Sequence, residues 1–155
     1  MAKEIMDRRA SDNVYLHKDF HSALSTSIEY LHRHFGSEAV SEYLRKFTRT
    51  YYAPLTVKLN NNGLVALKEH FQKIYDIEGE KIEISFTENE LVLTIKSCPA
   101  VKHMREHNYP VARLFMETTK TVNEALCEGT PFKAELVEYD ELTGHSIQRF
   151  YRAIL

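Results

Sequence analysis

Between about Val14 and Phe35 the apolar residues Phe20, Leu24, Ile28, Leu31 and Phe35 recur every three or four positions, a spacing that predicts one helix burying a single face. Gly36 interrupts the pattern, and Ser37 is placed to cap a second helix with Val40, Leu44, Phe47 and Tyr51 on one stripe. That helix must stop near Ala53, because the residue before Pro54 is pushed away from helical geometry. From Pro54 to Gly63 the alternation of Leu55, Val57 and Leu59, followed by three asparagines and a glycine, predicts a connector with a strand-like part and a turn. A third helix carries Leu64, Leu67, Phe71 and Ile74 inside and stops at Gly79.

The period then changes from near four to two. Ile82, Ile84 and Phe86 alternate with polar residues, Thr87 to Glu90 turns, and Leu91, Leu93 and Ile95 alternate again, which predicts a hairpin with one solvated face. A short helix runs from Pro99 to about His107, and Pro110 opens a longer one to about Cys127, closed by Gly129. Phe132, Ala134 and Leu136 then alternate, Asp140 to Gly144 turns, and His145 to Arg152 returns. The order ααα-ββ-αα-ββ predicts an α+β protein with helices packed on an antiparallel sheet built from two hairpins. No repeat or charge block divides residues 1–155, so one domain is expected.

Composition narrows the function. The chain has 155 residues, 43% hydrophobic and 27% charged, with a net charge of -2, as in ordinary globular proteins. No GxGxxG or GxxxxGK[ST] occurs, which sets aside enzymes that cradle phosphates on glycine-rich loops. No apolar run approaches the roughly 18 residues of a membrane span, and the start MAKEIMDRRASDN has no signal-like core. A cytoplasmic protein without a membrane partner is expected, its two cysteines reduced thiols. Residues 43–52 interleave basic and aromatic side chains, but helical spacing separates the two kinds. With a pI near 6.4 there is no large positive field, so nucleic acid is not an expected partner.

The stretch Ser97 to His103 concentrates the chemistry. Proline just inside a helix start puts Cys98 at the N-cap, where unpaired amides and the helix dipole favour an anion. With Lys102 one turn on, a lowered thiol pKa and a nucleophilic sulfur are expected, set against the reading of Cys98 as a small buried hydrophobe. His103-Met104-Arg105-Glu106-His107 fits HxxEH, an inverted zinc-protease pattern. Two imidazoles from one short helix leave further ligands to be found, so neither a metal nor another cofactor is expected. The pair serves better as solvated or substrate-facing histidines. Arg113, Glu117, Lys120 and Glu124 form a stripe of alternating sign, read as a solvated face. Asn123 lies near the apolar face of the same helix, where its amide needs partners from a ligand or a backbone carbonyl. Alternation sends Arg149 and Tyr151 to one face of the last strand and Gln148 and Phe150 to the other.

The runs CPAVKHMREHNYP, VNEALCEGTPF and EYDELTGHSIQRFYR, with the YYAPL segment upstream, resemble the bacterial family of L-2-amino-thiazoline-4-carboxylic acid hydrolase-like proteins. The resemblance is strongest over residues 97–152. It implies a small α+β hydrolase that opens a cyclic amidine in a carboxylate-bearing substrate. The element order is also similar to 4-vinyl-reductase-type domains, which bind small molecules without transforming them. Ring opening needs a nucleophile, a proton carrier and a cation for the substrate carboxylate. Cys98, His103 or His107, and Arg149 are the expected occupants of those roles, with Asn123 as a further ligand contact. The expected partner is a small molecule, with a homodimer left open. A non-catalytic sensor module is the alternative, and a structural partner protein is the third class.

Overall fold

A computed structural model describes residues 19–154, in the order α1 (Asp19–Phe35), α2 (Ser37–Tyr51), α3 (Ala53–Asn62), α4 (Val65–Glu78), β1 (Ile82–Phe86), β2 (Glu90–Ile95), α5 (Pro99–Glu106), α6 (Glu117–Cys127), β3 (Phe132–Tyr139) and β4 (Ser146–Arg152). The fold is α+β, as the patterning predicts, with a fourth helix ahead of the first hairpin. The expected helical start at residues 14–18 and the N-terminal sequence before it lie outside the described residues.

The two hairpins form one antiparallel sheet of order β1-β2-β4-β3. Ile84 faces Leu93 across β1 and β2, Leu93 faces Gln148 across β2 and β4, and Gln148 faces Leu136 across β4 and β3. The register shifts between Leu136 and Glu138, a bulge that leaves Val137 half exposed at 49%. On the inner face Leu91, Leu93, Ile95 and Phe150 are fully buried. Leu91, Leu93 and Phe150 pack with Leu55 and Leu59 of α3, Leu67 of α4 and Leu126 of α6. A second cluster joins Ile28 of α1, Val40 and Leu44 of α2, and Val101 and Met104 of α5. Val122 of α6 touches both clusters, so the two cores are continuous through that helix.

Three local expectations are corrected. Residues 53–62 are helical where a strand-like connector is expected. Pro54 occupies the first turn of α3, where a missing N–H costs nothing. Leu55 and Leu59, four apart, then share one buried face, while Val57 is 57% exposed. The Thr56 hydroxyl donates to the Leu126 carbonyl at 3.1 Å, satisfying an acceptor in the last turn of α6.

The helix expected from Pro110 begins at Glu117 instead. The amide of Ala112 donates to Ser25 Oγ at 2.8 Å and that of Arg113 to Glu29 Oε2 at 3.2 Å. The first turn of a helix leaves its amides unpaired, and here α1 side chains take those donors and hold the segment in a non-helical course. The solvated stripe expected on this helix dissolves accordingly. Arg113 is outside α6, the Glu117 carboxylate accepts from Thr121, and Glu124 pairs with Arg45 of α2 at 2.8 Å. Arg45 and Arg49 both reach Glu128. Burial opposes ionisation of Glu128, but the two guanidinium groups outweigh it and hold its pKa below the usual range.

Finally, the ends of the predicted apolar stripes are exposed, namely Phe20, Phe35 and Tyr51. Thr48 is buried in α2 with its hydroxyl bonded to the Leu44 carbonyl at 2.7 Å. Ser37 is inside the helix without a capping bond. Gly36, at φ 85°, is the N-cap, a left-handed conformation that lets one residue join α1 to α2.

The α3 correction generates a discriminating prediction. Leu59→Ala should lower stability by about 3 kcal/mol in denaturant unfolding, whereas Val57→Ala should change it by less than about 0.5 kcal/mol. A strand with residues 55, 57 and 59 on one face requires comparable losses at both positions.

Candidate functional site

Cys98 is the N-cap of α5, with Pro99 in the first turn, as the sequence predicts. The β3–β4 turn is seated against it. The Cys98 amide donates to the Thr143 carbonyl at 3.1 Å, and Gly144, buried at φ 68°, packs so closely that a Cβ there would overlap Cys98 Cβ and crowd Val101. The turn is internally braced, since the Asp140 carboxylate accepts from the Leu142 amide and from the Thr143 hydroxyl, each at 2.9 Å. These two bonds hold its pKa below the usual carboxylate value.

The expected lowering of the Cys98 pKa is not what this environment produces. Burial pushes it up, the amides of Val101 and Ala100 pull it only part of the way back, and the Glu78 carboxylate pushes it up again. Lys102 contributes no countercharge to the sulfur, because its ammonium is bound to Glu80 at 2.6 Å. The resting group is a neutral thiol. Cys127 is buried in the main core, with a pKa pushed up to about 12 by burial alone.

Four residues absent from the sequence-based candidates enter here. Glu78, the last residue of α4, has a side chain only 4% exposed, and its Oε1 is 4.0 Å from Nε2 of His21 in the first turn of α1, itself 15% exposed. Tyr139, at the end of β3, is held near pKa 12, with burial the main cause and the charge of a Cys98 thiolate the next. Arg105 of α5 acts on Tyr139 in the opposite sense and donates to the Glu141 carbonyl at 3.3 Å. Cys98, Glu78, Tyr139 and Arg105 thus come from three elements around one turn, and His21 of α1 stands beside Glu78. No local pattern in the sequence marks Glu78 or His21. An acid at a helix C-terminus opposes the helix dipole, and burying it there adds a desolvation cost that needs a partner.

The histidines of α5 are arranged differently. His103 follows Cys98 by five residues, about 140° around the helix axis, so the two do not share a face. It is half-buried, with its ring centroid 4.2 Å from that of His107. His107 closes the far end of α5, about 14 Å along the axis from Cys98. Its Nδ1 donates to the His103 carbonyl at 2.8 Å, and its ring stacks on Tyr109. Among the described residues no group of three or more His, Cys, Asp or Glu side chains is arranged to hold a metal ion.

Arg149 and Asn123 are also apart from Cys98. Arg149 projects from the outer face of the sheet, where it binds Glu90 at 2.5 Å and Glu135 at 3.5 Å and lies over the Tyr151 ring. Asn123 is buried and donates through Nδ2 to Gln148 Oε1 at 2.7 Å, while Gln148 Nε2 donates to Ser146 Oγ at 3.0 Å. The partner that its amide requires is a side chain of β4.

The electrostatics at Cys98 predict how its reactivity responds to substitution. Native Cys98 and Cys127 should both alkylate more slowly than in the unfolded chain. Glu78→Gln removes a charge that raises the Cys98 pKa, so more thiolate exists at a given pH. The midpoint of its alkylation rate against pH should fall while Cys127 stays unchanged. An unaltered Cys98 profile in a folded variant would show that Glu78 does not act on the sulfur.

The chain matches no protein-family model, and no curated protein matches it significantly.

Proposed function

We propose that the protein is a small cysteine-dependent hydrolase that opens the ring of a cyclic amidine or amide bearing a carboxylate. What supports this reading is the placement of Cys98 at the start of α5, with the buried Glu78 acting on its sulfur and His21 4.0 Å from Glu78. A neutral thiol needs no lowered pKa where a base removes the proton during attack. In the proposed cycle His21 accepts the Cys98 proton as the sulfur adds to the ring carbon. The same proton passes to the departing ring atom as its bond to that carbon breaks. Water, deprotonated by His21, then releases the acyl or imidoyl group from the sulfur. Glu78 orients His21 and stabilises its protonated form, as a carboxylate does beside a catalytic imidazole. Arg105 supplies a cation on the Tyr139 side of the turn.

A non-catalytic binding module is the second reading, and the raised pKa of Cys98 favours it. The two are separated by turnover of 2-amino-thiazoline-4-carboxylate and of five-membered cyclic amides carrying a carboxylate. The wild type should release ring-opened product. His21→Asn should reduce kcat by about 10²- to 10⁴-fold, and Cys98→Ala should reduce turnover to background, each with a melting temperature within a few degrees of wild type. Full turnover by Cys98→Ala sinks the cysteine mechanism. Saturable binding without turnover by the wild type establishes the module instead.

A further inference from the structure

The face of α1 beyond His21 forms one wall of a groove of about 650 Å³, closed on the other side by residues 110–113. Its floor is fixed, since Ser25, 1% exposed, accepts from the Ala112 amide at 2.8 Å and donates to the Pro110 carbonyl at 3.3 Å. Glu29 is the acid of this groove, and both its oxygens are engaged. Oε1 accepts from Arg33 Nε at 2.9 Å and Oε2 from the Arg113 amide at 3.2 Å. The Arg113 amide first, and then Arg33, hold the Glu29 pKa below its usual value, so the acid is a charged anchor already in use.

Two guanidinium groups therefore outnumber one satisfied carboxylate. Arg33 spends only Nε on Glu29, and its side chain is 72% exposed. Among the described residues its terminal nitrogens have no recorded hydrogen-bond partner, nor does the Arg113 side chain. Paired N–H groups of this kind match the geometry of a carboxylate. Beside them Tyr30, 57% exposed, and His34 stand as neighbouring rings with centroids 4.4 Å apart and planes tilted by 39°, an aromatic wall against which another ring can pack. The volume is within the usual range for a small-ligand site.

We propose that this groove binds a small aromatic carboxylate, its anion held by Arg33 and Arg113 and its ring laid against Tyr30 and His34. The site is separate from the Cys98 turn, because none of Cys98, Glu78, His21 and Tyr139 lines the groove. It does not depend on the hydrolase reading.

Benzoate is the test probe, titrated into the isotope-labelled full chain with benzamide and cyclohexanecarboxylate as controls. Saturable shifts confined to residues 25–34 and 110–113 are expected. Arg113→Ala should weaken benzoate by about tenfold, and Tyr30→Ala should abolish the advantage of benzoate over cyclohexanecarboxylate. Neither side chain is in the core, so both variants keep the fold. Cys98→Ala should bind benzoate as wild type does. Shifts centred elsewhere, equal affinity for uncharged benzamide, or unchanged benzoate affinity in Arg113→Ala would each overturn the proposal. Loss of binding in Cys98→Ala would overturn the independence of the two sites.

Discussion

The hydrogen bond between two buried amides, Asn123 and Gln148, constrains the rest of the molecule. It crosses an interface that is otherwise hydrocarbon, with Leu91, Leu93 and Phe150 fully buried beside it, where an unpaired amide would cost about 1–3 kcal/mol. A slip of β4 by one residue would turn Gln148 to solvent, bring the charged Arg149 inward and strand Asn123. The pair therefore selects one register for β4, the strand on which both hairpins meet. Because the β3–β4 turn follows from that register, so does the seating of Gly144 on Cys98. Hydrophobic area holds helices and sheet together, but the polar pair specifies how.

Charges on this fold fall into two energetic classes. Arg149 with Glu90 and Glu135, and Arg45 and Arg49 with Glu124 and Glu128, are partly solvated. Solvent screening leaves pairs of that kind little net stabilisation, and their value lies in orienting α2 on α6 and β4 between its neighbours. Glu78 belongs to the other class. A carboxylate withdrawn from water at a helix C-terminus works against both solvation and the helix dipole.

What the sequence reveals depends on how local the determining interaction is. The two hairpins and the cores of α1, α2 and α4 are legible because each buries one face whose period appears in the residue order. The N-cap position of Cys98 is legible because Pro99 acts on its immediate neighbours. Residues 55, 57 and 59 fit a two-residue period as well as a helical one, and only contact with Leu126 and the sheet decides between them. The start of α6 is hidden for a related reason, since Ser25 and Glu29 capture amides far along the chain. His21 and Glu78 are invisible in the same way. Nothing near either one announces the other, whereas the adjacent histidines of α5 form a conspicuous motif that faces away from the thiol.

The close seating of Gly144 on Cys98 also has a mechanical meaning. The backbone at 144 lies against the Cβ of Cys98 and the side chain of Val101, which leaves no slack for a side chain of its own. A methyl group there would wedge the β3–β4 turn away from the start of α5 and strain the bond from the Cys98 amide to the Thr143 carbonyl. A single hydrogen in place of that methyl thus decides how tightly the sheet end docks on the helix.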